Sequence, residues 1–181
     1  MAQFFAGLAR LAMGTELPVQ VAAVCYRLNG SSVEFLLVNT SSGKWTFPKG
    51  RLCPGLSPSE SASREAWEEA GAKGRIEQEH FGHYLDTKRT LGRDWPTREV
   101  RIAAYLLEVH STQAPEESGR NPKWFSPQEA KKQLAQGREV QYSKRIAKIV
   151  DAALQQLTAR SRKRTEVLLR AQGRRRLASA R

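Results

Sequence analysis

Apolar residues fall in two rhythms along this chain. Val19, Val21, Ala22, Ala23, Val24, Cys25 and Tyr26 make a short, nearly continuous run that predicts a strand over Val19–Tyr26. Leu28, Asn29 and Gly30 mark a hairpin turn into a second strand over Val33–Val38. Lys44–Phe47 reads as a short strand, Gly74–Tyr84 as one or two strands, and Val100–Val109 as a long one. Between them the rhythm changes. Ala62, Ala66 and Ala70 recur every fourth residue, and Ser57 and Glu60 form a capping box with Pro58 at the first helical position. A helix should start near Pro58 and stop at Gly71, where a left-handed residue is easily placed. The small-residue stripe lets that helix lie close to a sheet. Ser126, Pro127 and Glu129 open a second helix through Ala130–Leu134. A third runs from Tyr142 to Leu157, with Ile146, Ile149, Val150, Ala153 and Leu157 on one face. The chain reads as α/β with a mixed sheet, and it has no internal repeat.

Length and charge refine this outline. A chain of 181 residues suffices for one ordinary core plus a tail. We divide it into an N-terminal extension (1–16), a folded domain (17–158) and a basic C-terminal tail (159–181). The formal charge is +12, and residues 160–181 hold nine Arg or Lys against the single acid Glu166. That tail carries +8 of the total. It reads either as a solvated helical or disordered end or as a surface attracting polyanions, nucleic acid among them. No aromatic residue is interleaved for base stacking. Cys25 and Cys53 make no disulfide framework, which points to a reduced, cytoplasmic setting. No apolar run approaches the roughly 18 residues of a membrane span. Met1–Met13 lacks the basic start and cleavage site of a signal peptide.

The chemistry lies in the first helix. Glu65, Glu68 and Glu69 stand at i, i+3 and i+4, so all three carboxylates share one face. Like charges so placed oppose helix formation unless a cation offsets them, and carboxylate oxygens suit hard ions such as Mg²⁺. A solvated acidic face, with Arg64 and Glu68 as an ordinary i,i+4 pair, accounts for the spacing equally well. Lys49 and Arg51, on the loop leading to this helix, place positive charge beside the acids, as a diphosphate substrate requires. His80, His83 and His110 lack zinc-ligand spacing. The serines at 57, 59, 61 and 63 lack nucleophile-elbow glycines.

From Gly50 to Ala72 the chain resembles the Nudix hydrolase family, whose box is Gx₅Ex₇REUxEExGU with U bulky and apolar. Gly50, Arg64, Glu65, Glu68, Glu69 and Gly71 stand in register. Leu56 replaces the first Glu, and Ala66 and Ala72 occupy the U positions. The resemblance implies a Nudix α/β/α sandwich with a mixed sheet between helices. It also implies Mg²⁺, with Mn²⁺ as a substitute, held by Glu65, Glu69 and Glu68 with a backbone carbonyl at Gly50. Glu68 would be the general base and Arg64 its orienter. Tyr84, Asp86, Arg98, Arg101, Lys123 and Trp124 are similar to the diphosphoinositol polyphosphate phosphohydrolase branch. Phe47, Pro48, Lys49 and Gly50 are shared with diadenosine polyphosphate hydrolases. The implied substrate is thus a phosphate-rich small molecule, met by Lys49, Arg51, Arg89, Arg101 and Lys123. The alternative is a binding or regulatory module that kept the fold and lost turnover, for which Leu56 is the motive.

Overall fold

The computed structural model describes residues 19–30, 32–88 and 98–178. The N-terminal extension and Arg89 lie outside them. Among the described residues, eight strands and three helices follow in the order β1 (Val19–Asn29), β2 (Ser32–Asn39), β3 (Trp45–Thr46), β4 (Lys49–Arg51), α1 (Pro58–Ala70), β5 (Ala72–Ile76), β6 (Gly82–Lys88), β7 (Arg98–Thr112), β8 (Lys123–Phe125), α2 (Pro127–Ala135) and α3 (Val140–Ala178). They make one mixed sheet with the spine β3-β2-β1-β7-β5. β4 pairs with β1, β6 with β7 and β8 with β2.

The centre is the parallel pair β1 and β7, in register from Val19 opposite Arg101 to Tyr26 opposite Glu108. Both strands are apolar on both faces because both faces are covered. On one side Val21, Ala23, Cys25, Ala103, Tyr105 and Leu107 pack against Ala62, Ala66 and Ala70 of α1. On the other, Ala22, Val24, Ile102, Ala104 and Leu106 meet Ala130 and Leu134 of α2 and Ile146, Ile149, Val150 and Ala153 of α3. The expected α/β/α sandwich is therefore present.

Local chemistry sets the limits of α1. Ser57 accepts from the Glu60 amide while Glu60 accepts from the Ser57 amide, Pro58 opens the first turn, and Gly71 closes the helix at φ 61°. A side chain at Gly71 would also collide with the backbone carbonyl of Gln113, so glycine is required there twice over.

Two features depart from expectation. Lys49–Arg51 is not a loop but β4, antiparallel to Gln20–Ala22 at the start of β1. Three residues with a central glycine carry no periodicity, and they become a strand because β1 offers an edge beyond the end of β2. The third helix also passes Leu157 without a break and reaches Ala178. No proline interrupts that stretch, and Ala, Leu, Gln and Arg favour the helical state. Arg160 pairs with Glu77, just beyond β5.

Candidate active site

β4 and α1 bring the box together. Pro48 accepts from the Ala23 amide, which docks this corner onto β1 and aims the next two residues at the helix. The Lys49 amide donates to Glu69 Oε2 at 3.1 Å. Gly50 lies directly against the Glu65 carboxylate: a Cβ there would meet that group before anything else. Glycine at this position is a close-approach requirement, since its φ is not positive.

The three acids differ in environment. Glu69 is only 3% exposed. Burial pushes its carboxyl up to about 7, although Arg120 and the Lys49 amide both pull it down. Glu65 is half-buried and also raised, first by desolvation and then by Glu68 and Glu117. Glu68 faces outward, with Arg64 Nε 2.6 Å from Oε1. An exposed i,i+4 pair of this kind is worth only about 0.3–0.5 kcal/mol. It therefore orients Glu68 without trapping it.

The segment between β7 and β8 forms the other wall. Gln113 donates its amide to the Gly71 carbonyl at 3.0 Å, and Glu117 donates to the Glu68 carbonyl at 2.9 Å. Trp67 Nε1 donates to Glu116 at 2.7 Å, and Lys73 covers the indole face at 3.8 Å. Trp67 is thus a tether for this segment. Arg120 reaches Glu69 Oε1 at 2.6 Å and Glu117 Oε2 at 2.5 Å. A cavity of about 490 Å³ opens beside it, lined by Asn39, Thr40, Ser41, Gly43, Glu117, Ser118, Gly119 and Arg120.

Two pairings were not legible in the sequence, Asp86 with Lys49 and Arg120 with Glu69. Asp86 holds Lys49 Nζ at 3.0 Å and lies 3.7 Å from Arg138, all three side chains being largely buried. Its signal was the alternation of Tyr84 and Asp86 on one face of β6. Arg120 pairs with Glu69 across the site, and nothing local in the sequence predicts that pairing. Among the other cations singled out, Arg51 is exposed in β4. Arg101 faces solvent on β7, where its charge reaches His83. Lys123 lies 6.0 Å from the centre of the Trp45 ring. Leu56 is 39% exposed in the turn before α1.

The donors suit a hard divalent cation. All are carboxylate oxygens, Glu69 is buried enough to need a counter-charge, and Gly50 leaves room for Glu65. Among the described residues, however, no three His, Cys, Asp or Glu side chains are gathered closely enough to hold an ion. Arg64 and Arg120 each draw one of the acids to themselves.

A mixed sheet sandwiched by helices, with an acid-bearing helix fed by a glycine strand, defines the class of fold and site. The NUDIX domain family matches residues 18–145, and the chain belongs to that family. It is 34% identical over 106 residues to Nudix hydrolase 16, mitochondrial, of Arabidopsis thaliana, a match that covers 56% of this chain and 58% of that protein. The fold is similar to the Ap4A hydrolase of C. elegans in a binary complex, with TM-score 0.58, 23% identity, and coverage of 79% of this chain and 99% of the other. It is also similar to a NUDIX hydrolase from Nitrosomonas europaea, with TM-score 0.54, 26% identity, and coverage of 72% and 86%. Among the described residues no helix is long and apolar enough to cross a membrane.

Proposed function

We propose that this protein is a Mg²⁺-dependent hydrolase of diphosphate linkages in a phosphate-rich small molecule, a diadenosine polyphosphate or a diphosphoinositol polyphosphate. The observation that carries this reading is the buried Glu69 beside Glu65 and Glu68, with the amide of Lys49 and the open side of Gly50 turned toward them. Glu65 and Glu69, with Glu68 at their edge, would hold the cation. Bound there, Mg²⁺ or Mn²⁺ supplies charge neutralisation at the phosphate oxygens and a more acidic water.

The chain's own groups do the rest. Glu68 takes the proton of the water that attacks phosphorus, and Arg64 fixes the carboxylate for it. The bridging P–O bond breaks with its electrons on the departing phosphate. Lys49, Arg51, Arg89, Arg101 and Lys123 are the groups we assign to the substrate's charge. The Arg120-lined cavity offers room for the remainder of the substrate. The folded domain we assign is 17–158, with 159–181 as a basic appendage, and the two free thiols suit the cytoplasm.

The reading is tested by a Mg²⁺-dependent hydrolysis screen over diadenosine polyphosphates, diphosphoinositol polyphosphates, nucleoside diphosphate derivatives and capped RNA. Glu68→Gln is run in parallel and should lower turnover by roughly 10²–10⁴-fold without loss of fold. Tight binding without hydrolysis by the parent would favour the binding-module reading, for which Leu56 and the Arg120–Glu69 pair are the motives. Parent-like rates in Glu68→Gln would overturn the assignment of the base.

A further inference from the structure

Arg120 is placed where a cation's charge is needed. Its guanidinium contacts the most buried acid of the cluster, Glu69, and at the same time the half-exposed Glu117. The backbone that carries it is pinned on two sides. Glu117 N–H donates to the Glu68 carbonyl at 2.9 Å, and the Asn39 amide donates to the Arg120 carbonyl at 2.6 Å. The main chain is therefore fixed while the guanidinium has two carboxylates to choose between. Its Nε and Nη2 both reach Glu117 Oε2, so pairing with Glu117 alone costs no backbone movement.

We infer that Arg120 is the resident counter-ion of the acidic cluster: it pairs with Glu69 in the metal-free protein once that carboxylate ionises, competes with the divalent cation for it, and is handed to Glu117 when the cation loads. This rests on the reading of Glu65 and Glu69 as the cation's carboxylates. A guanidinium and a divalent ion on one carboxylate repel each other, and Glu69 is too buried for water to screen that repulsion. Without Arg120, an ionised, metal-free Glu69 would be a buried carboxylate partnered only by the Lys49 amide, which is costly. One residue thus lends stability to the empty site and limits its affinity. The coupling is reciprocal, as all binding linkages are.

The test is direct binding, measured by calorimetric titration with Mg²⁺ and by Mn²⁺ electron paramagnetic resonance on the full chain without substrate. Arg120→Gln should bind the cation about 10-fold more tightly, while its metal-free form melts at a lower temperature. Arg120→Lys, which keeps the charge, should return the affinity toward the parent. Glu117→Gln removes the receiving carboxylate and should weaken cation binding, which keeps the test alive where Arg120→Gln fails to fold. If the parent binds no divalent cation, both this inference and the proposed function fall. If the parent binds and Arg120→Gln binds equally or more weakly, only this inference falls, and Arg120 is then a support for Glu69.

Discussion

Substituting Gly50 by alanine separates the geometry of the site from the stability of the fold. The three atoms nearest to a Cβ at this position are Cδ, Oε1 and Oε2 of Glu65, all at the far end of a flexible side chain. The backbone does not object, because Gly50 has no positive φ and lies in a strand. Removing a glycine from an extended segment gains about 0.4–1 kcal/mol through the unfolded state. An off-rotamer Glu65 loses about 0.5–1.5 kcal/mol. These nearly cancel, so the melting temperature should move by no more than about 2–4 °C. The Glu65 carboxylate, by contrast, must leave its place. Cation affinity should then fall by about 10-fold or more, the scale seen when a ligand's orientation is lost. Calorimetric titration with Mg²⁺ beside a thermal melt reads both quantities. Gly71→Ala is the control with the opposite signature, for its Cβ would strike the backbone carbonyl of Gln113 at a residue with φ 61°. It should lose about 1–3 kcal/mol of stability and keep the cation affinity of its folded fraction. Parent-like Mg²⁺ binding in a folded Gly50→Ala would refute the argument, because Glu65 would then not need the position it holds.

Other outcomes follow from single environments. Leu56→Glu should leave stability within about 0.5 kcal/mol, since the residue is exposed, and should strengthen Mg²⁺ binding; an unchanged titration would show that the missing acid is immaterial. In metal-free protein, folded Glu69 keeps its proton up to about pH 7, while the unfolded chain releases it near 4.5. The unfolded state therefore binds fewer protons across that interval. This contribution is whole below pH 4.5 and is lost as the pH rises to about 7, with a size on the order of 3 kcal/mol. Melting profiles in chelator should show the decline in the parent and not in Glu69→Gln, and Mg²⁺ should flatten it; identical profiles would sink the assignment. Cys25 is fully buried and its thiol is pushed up by that burial, whereas Cys53 is partly exposed. A thiol reagent should thus titrate one group in the native protein and two after denaturation, and two fast native groups would contradict the packing.

What could be read from the sequence was what is decided within a few neighbours. Ser57, Pro58, Glu60 and Gly71 fix the ends of α1 by their own hydrogen bonds, so helix and acids were placed before any tertiary contact was known. The runs through β1 and β7 announced strands because both faces are buried. β4 and β8 were missed because three-residue strands have no period. They exist only where β1 and β2 present free edges to them. The same limit hid the Arg120–Glu69 and Lys49–Asp86 pairs, whose partners are far apart in the chain. The length of α3 was underestimated because the periodic apolar positions read for it stop at Leu157, while the helix runs on to Ala178.

The parallel pairing of β1 with β7 has a kinetic consequence. Val21 finds Ala103 only after α1 and all the strands up to β6 have been made, because the connection between the two central strands contains the whole box. A chain released from the ribosome before Thr112 can close the β1–β2 hairpin and little else. The acid-bearing helix must wait for β7 before the face under Ala62, Ala66 and Ala70 is complete. Non-local, parallel closure of this kind is slow, since the loop entropy is spent before the contacts return it. Refolding should therefore be limited by the sheet and be indifferent to Mg²⁺. The ion can only enter a site that the last central strand has already finished.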